Sequence, residues 1–170
     1  QLSQPRRQLI HRQIAYKLHQ QTTPDNALAS EIAYHAALGG DRALAASAAL
    51  AAAERCLKLF AYAEALELAQ QGIQHCQFLA PPIQILLHAE LLRVCALAGV
   101  TGDACKDGQL SHRAACLETQ VQQLIHEAKS LGLNEAEAIA LETLVILQFD
   151  RSNYTDVHQH SLRVAEVSRF

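Results

Sequence analysis

The chain has 170 residues, half of them hydrophobic and 18% charged, so it can bury a sizeable core and is too apolar to stay unfolded. Heavy use of alanine with only 7 Gly, 4 Pro and 5% aromatics favours helix over sheet. The formal charge is −3 and the only basic grouping is Arg6, Arg7, Arg12 and Lys17, so direct nucleic-acid binding is disfavoured; no run of about 18 uncharged apolar residues is found, residues 43–53 coming closest, so no membrane span is expected.

Eight helices can be read in chain order. The first covers about residues 5–18, with Pro5 in the first turn and Leu9, Ile10, Ile14 and Leu18 at helical spacing. Thr22, Thr23 and Pro24 break it. The second covers about 27–38, with Ile32, His35, Ala36 and Gly39 near one face. Gly39-Gly40-Asp41 ends it, glycine permitting positive φ and Asp41 suiting the N-cap of the third helix, 42–59. Eight of the eleven residues in 43–53 are Ala, which reads as a central helix tightly flanked by its neighbours.

The fourth helix, 62–79, turns Ala65, Leu66, Ala69 and Ile73 inward, and Pro81-Pro82 closes that hairpin. The fifth, 83–98, is apolar except for Gln84, His88, Glu90 and Arg93, so neighbours should cover several of its faces. A loop containing Asp103, Cys105, Lys106 and Asp107 follows. The sixth, 110–131, carries a stripe of Leu117, Val121, Leu124, Ala128 and Leu131. Asn134 with Glu137 reads as an N-cap and third-position acid for the seventh, 135–149. The eighth starts near Tyr154, with Val157, Ser161, Leu162 and Ala165 inward. Short turns joining such helices imply antiparallel hairpins stacked in chain order.

The run from Phe60 through Tyr62, Ala65 and Gly72 to Ile73 resembles the second helix of a tetratricopeptide repeat. Tyr62 falls at the aromatic position, and Ala65 and Gly72 at the small crossing positions. Ala49, Ala52 and Ala53 fall on the first helix of that repeat. Ser152-Asn153-Tyr154 resembles the same turn in a later hairpin, with Val157 and Val164 in place of the small residues. The fold implied is an all-α, tetratricopeptide-like solenoid, with 1–40 as connecting helices and 41–170 as repeats.

A second resemblance covers about 6–76. The helix with Ala33-Tyr34-His35, the Gly39-Gly40-Asp41 turn, the Ala53-Glu54-Arg55 segment and the run after Phe60 are similar, in that order, to the stretch that follows the ATPase module in large bacterial signalling ATPases. These are the MalT-like regulators and related multidomain cyclases and kinases. Residues 7–15 resemble the helix leading out of that module. The resemblance implies a cytoplasmic regulatory segment that binds a protein or peptide partner, a small inducer or another protomer. There is no GxxxxGK[ST] loop, so this stretch is not expected to hold ATP. Both ends of the sequence read as cuts through a longer polypeptide. The rival reading is a standalone scaffold without an ATPase.

Residue chemistry favours binding over catalysis. His158 and His160 point to different sides of a helix, no HExxH or zinc-spaced cluster is found, and His75-Cys76 are adjacent and cannot face each other. His35 reads as an interhelix packing residue. Cys56, Cys76, Cys95, Cys105 and Cys116 contain no CxxC pair and read as reduced small residues, four of them in apolar helical surroundings and Cys105 in a loop. No catalytic, cofactor or metal residue is assigned. Tyr34, Tyr62, His88 and Arg93 are the candidate partner-binding residues.

Overall fold

Turn chemistry decides where each helix stops. The computed structural model describes residues 3–21, 24–101, 109–150 and 154–168, and at 100–101, 109–113, 150 and 154–155 the backbone alone. The expected features at Thr22, Thr23, Asp103, Cys105, Lys106, Asp107, Ser152 and Asn153 therefore lie outside the described residues. Eight helices and no strand are present among the described residues. They are α1 (Gln4–Gln20), α2 (Ala29–Leu38), α3 (Arg42–Lys58), α4 (Tyr62–Cys76), α5 (Pro81–Thr101), α6 (Gln109–Ser130), α7 (Asn134–Asp150) and α8 (Tyr154–Val167).

Three helices end in the same hydrogen-bond pattern. After α2, Asp41 N donates to Ala36 O and Gly40 N to Ala37 O, with Gly40 at φ +77. After α6, Leu133 N donates to Ala128 O and Gly132 N to Lys129 O, with Gly132 at φ +67. Both use glycine for the left-handed residue that such a cap needs. After α3, Ala61 N donates to Cys56 O and Phe60 N to Leu57 O, and here the left-handed residue is Phe60, at φ 60. An aromatic at that φ is strained and was not anticipated.

Asp41 caps α3 as expected, its Oδ1 accepting from Leu44 N at 3.1 Å. At α7 Glu137 lies in the first turn as expected, but two details differ. The helix starts on Asn134 itself, and Glu137 turns inward, 4% exposed, to meet Arg163 of α8 at 3.2 Å. Pro81 and Pro82 do not merely close the preceding hairpin: they form the first turn of α5, where a missing N–H leaves nothing unsatisfied.

Each helix packs on its neighbours in sequence, and α5 also packs on α3 and α7. The Ala-rich α3 buries Ala45, Ala46, Ala48, Ala49, Ala52 and Ala53, so α2, α4 and α5 all approach it closely. At the crossing of α3, α4 and α5 sits Gly72, where an added Cβ would fall 2.8 Å from a Leu91 methyl and 3.3 Å from the Ala49 Cβ. One core cluster joins α3, α4 and α5 around Ala46, Ala69, Leu91 and Val94. A second joins α5, α6 and α7 around Leu92, Val121, Leu124, Ala140 and Leu144. Smaller clusters hold α1 and α2 to α3 through Ala15, Ala36 and Ala45 and through Leu18, Ile32 and Ala48.

Four apolar expectations shift. On α8, Ser161, Leu162 and Ala165 are exposed rather than inward, and the buried residue is Val167. The α6 stripe stops at Ala128; Leu131 lies past the helix end and is 54% exposed, while Leu133 folds back onto the core in its place. On α1, Ala15 is buried whereas Leu9 and Ile10 are exposed, because α1 packs chiefly on α2 alone. The segment long and apolar enough to cross a membrane is Pro81–Gly99 rather than 43–53. It is α5, the helix with four helical neighbours, and that covering accounts for its composition.

Candidate functional site

Because α5 packs on both α3 and α7, the first turns of these three helices meet on one side of the protein. Between them lies an open groove of about 850 Å³. Its apolar wall is built from Leu44 of α3, Ile83, Leu86 and Leu87 of α5, and Leu133 and Ala136 around the start of α7. Asp41, Ser47, Asn134 and Glu135 supply the polar groups. The volume suits a few side chains of an extended or helical segment, an apolar cleft with a few placed polar groups being the usual form of a binding site. A second hollow of about 500 Å³ shares Asn134 and Glu135 and continues past Glu90, Ala138 and Ile139 to Val167 at the end of α8.

Local sequence explains the shape. Small residues Ala43 and Ser47 on α3 leave room above α5. The Gly132 turn drops Leu133 into the wall, and Ile83 stays 53% exposed at the head of α5. Asp41 anchors the α3 end: besides capping Leu44 N, it accepts from the Tyr16 hydroxyl at 2.7 Å. Burial works to raise the Asp41 carboxyl, but the Tyr16 hydroxyl, the Leu44 N–H and Arg12 outweigh it and hold the carboxyl below its usual range.

None of the four sequence candidates lines either hollow. Tyr34 stands 62% exposed on α2, its ring edge-on to His11 and His35. Tyr62 is half-buried against the α3–α4–α5 core and edge-on to Phe60. His88, on α5, has a buried Nε2 without a hydrogen-bond partner. Burial pushes its imidazole down, with Glu127 of α6 pulling the other way. Arg93 ties α5 to α3, its guanidinium lying between Glu90 and Glu54, the latter at 3.5 Å. The structure thus does not bring the four together. The groove residues Ile83, Leu86 and Leu87 were passed over because in sequence they read as ordinary faces of a buried helix.

The remaining chemistry is local. His75 Nδ1 lies 2.9 Å from an Arg42 guanidinium nitrogen, and burial first, then Arg42, lowers its pKa. Burial pushes the Cys76 and Cys95 thiols up to about 11. Cys56 is half-buried, whereas Cys116 is exposed rather than in the core. His160 turns its Nδ1 to the Asp156 carbonyl at 2.8 Å. Among the described residues no group of three His, Cys, Asp or Glu side chains is arranged to hold a metal ion.

Comparison with protein-family models, with characterised proteins and with solved structures finds no match.

Proposed function

We propose that this chain is a non-catalytic interaction segment, a short tetratricopeptide-like stack of hairpins whose groove between α3, α5 and α7 receives an apolar peptide segment of a partner protein. The groove is the observation that carries the reading: about 850 Å³, open, walled by Leu44, Ile83, Leu86, Leu87 and Leu133, with Asp41, Ser47, Asn134 and Glu135 as its polar lining. The stacking is supported by the packing of α5 on α3 and α7 and by the close crossing at Gly72, where the repeat pattern calls for a small residue. The resemblance of 6–76 to the stretch after the ATPase in bacterial signalling ATPases supports a regulatory role within a longer cytoplasmic protein, in which partner binding biases the switch by favouring one of two packings.

The groove is tested with peptides selected from a random displayed library against the 170-residue chain. Ile83→Glu places a charge on the exposed groove wall, and Phe149→Glu does the same at a residue 62% exposed that lines neither hollow. Selected peptides should lose at least tenfold in affinity to Ile83→Glu and be unaffected by Phe149→Glu. Binding indifferent to both substitutions refutes the groove. The regulatory part is tested in the parent protein: equal nucleotide turnover, assembly and output with and without this region would defeat it.

A further inference from the structure

The contact between α3 and α4 holds an arginine that the apolar wall of the groove does not account for. Arg42 opens α3, one residue after the groove-lining Asp41, and its side chain reaches the end of α4. A guanidinium nitrogen lies 2.9 Å from His75 Nδ1, and the guanidinium carbon sits 5.0 Å from the centre of the Phe78 ring. A guanidinium only donates, so Nδ1 is the bare, accepting nitrogen of His75 and the ring hydrogen is on Nε2. Burial and Arg42 itself both disfavour the imidazolium, which keeps Nδ1 bare.

One face and one corner of the guanidinium are thus fixed, and the remaining donors have no carboxylate among the described residues. Arg93 and Arg163, by contrast, each lie between two glutamates. The acid next to Arg42 in sequence, Asp41, is turned elsewhere: its oxygens take the Tyr16 hydroxyl and Leu44 N–H, and the cation beside it is Arg12. The acids of α4, Glu64 and Glu67, lie in the first half of that helix, and the first turn of α5 has none.

We propose that Arg42 is a specificity residue of the groove: held by His75 and Phe78, it takes the carboxylate of an acidic residue in the partner segment whose apolar side chains enter beside Ile83. The proposal rests on the groove being the binding surface. An exposed arginine gives up rotamer freedom when it binds, and here the ring and the imidazole already restrict it. The donors left over form the planar fork that matches a carboxylate. Phe78 is 68% exposed, and an arginine beside an exposed aromatic has the composition of an interface anchor.

Position and charge agree. Asp41 and Pro82 line the groove; Arg42 follows the first, and Phe78 precedes the second by four residues, so the clamp stands at the rim. The exposed carboxylate of the groove, Glu135, is on the α7 side. An acidic residue is repelled there and attracted at Arg42, which sets the direction in which the segment lies.

The test measures peptides selected from a random displayed library on the 170-residue chain, comparing the unaltered protein with Arg42→Gln, Arg42→Lys and Ile83→Glu. The peptides should share an Asp or Glu at a fixed distance from their apolar residues. Arg42→Gln should weaken them about tenfold, and Arg42→Lys, which keeps the charge without the fork, should recover only part of the loss. A peptide with that acid changed to its amide should bind the unaltered chain about tenfold more weakly and lose nothing further to Arg42→Gln. Peptides without a shared acid, equal binding to Arg42→Gln, or losses that simply add overturn the assignment. Peptides that lose to Ile83→Glu but ignore Arg42→Gln leave the groove standing and remove Arg42 from it. Coupling to Arg42 with indifference to Ile83→Glu refutes the groove and leaves the carboxylate site, and a library without a binder counts against both. Should Arg42→Gln not fold, Phe78→Leu decides: the loss on changing the peptide acid to its amide should shrink once the guanidinium is no longer held, and an unchanged loss refutes the clamp.

Discussion

Gly72→Ala puts the packing argument at risk most sharply, because two well-known effects oppose each other. In an exposed helix, alanine for glycine gains about 1 kcal/mol. At position 72 the new Cβ would lie 2.8 and 3.0 Å from the two Leu91 methyls and 3.3 Å from the Ala49 Cβ. Leu91 is 0% and Ala49 1% exposed, so neither can swing towards solvent. Overpacking of this kind costs about 1–3 kcal/mol, which leaves a net loss of up to about 2 kcal/mol after the propensity gain. Leu91→Ala alone should cost about 2–5 kcal/mol. With Leu91 shortened, the methyl at 72 meets free space and its helix propensity shows, so Gly72→Ala should then become neutral or stabilising. Urea unfolding of the four proteins measures the coupling, expected to be at least about 1 kcal/mol. A stabilised Gly72→Ala whose effect adds simply to that of Leu91→Ala would refute the close three-helix crossing.

Phe60→Gly removes a left-handed aromatic worth about 1–2 kcal/mol of strain against a glycine entropy cost of about 0.5–1 kcal/mol; as Phe60 is 77% exposed, little packing is lost, and thermal unfolding should show a modest gain rather than a loss. Burial depresses the His88 pKa, so its contribution is present above the ordinary imidazole range and lost as pH falls through it, the unfolded chain taking up the proton first. The fall in melting temperature from pH 7.5 to 5.5 should be smaller in His88→Gln; an identical fall would contradict the burial argument. In the folded protein at pH 8, iodoacetamide should modify the exposed Cys116 well before Cys76 or Cys95, whose thiols are buried and raised to about 11; peptide mass mapping showing either of the latter modified first would count against the core assignment.

The helices were legible because the signals that set them are local. Asp41 accepting from Leu44 N, Gly40 and Gly132 at positive φ, and the alanine face of α3 can each be read from a few adjacent residues. What was not legible depends on distant partners. Glu137 is the first-turn acid that α7 alone reveals, but its partner, Arg163, lies 26 residues on. Phe60 carries no sign of its left-handed backbone, since the geometry is imposed by the α3–α4 turn. The groove was missed for a related reason. Ile83 and Leu86 repeat at helical spacing like any core face, and only the spacing of α3 and α7 on either side of α5 leaves them a free edge. His35 was legible as an interhelix residue, but its partner, His11, sits 24 residues away and carries no local mark of the contact.

Amide chemical-shift mapping with a library-selected peptide tests directly whether the side-by-side first turns of α3, α5 and α7 form the binding surface. Shifts should concentrate at Leu44, Ser47, Ile83, Leu86, Leu87 and Ala136, leaving α1 and α2 undisturbed. Shifts gathered on α1 and α2 instead, with the three first turns silent, would contradict it.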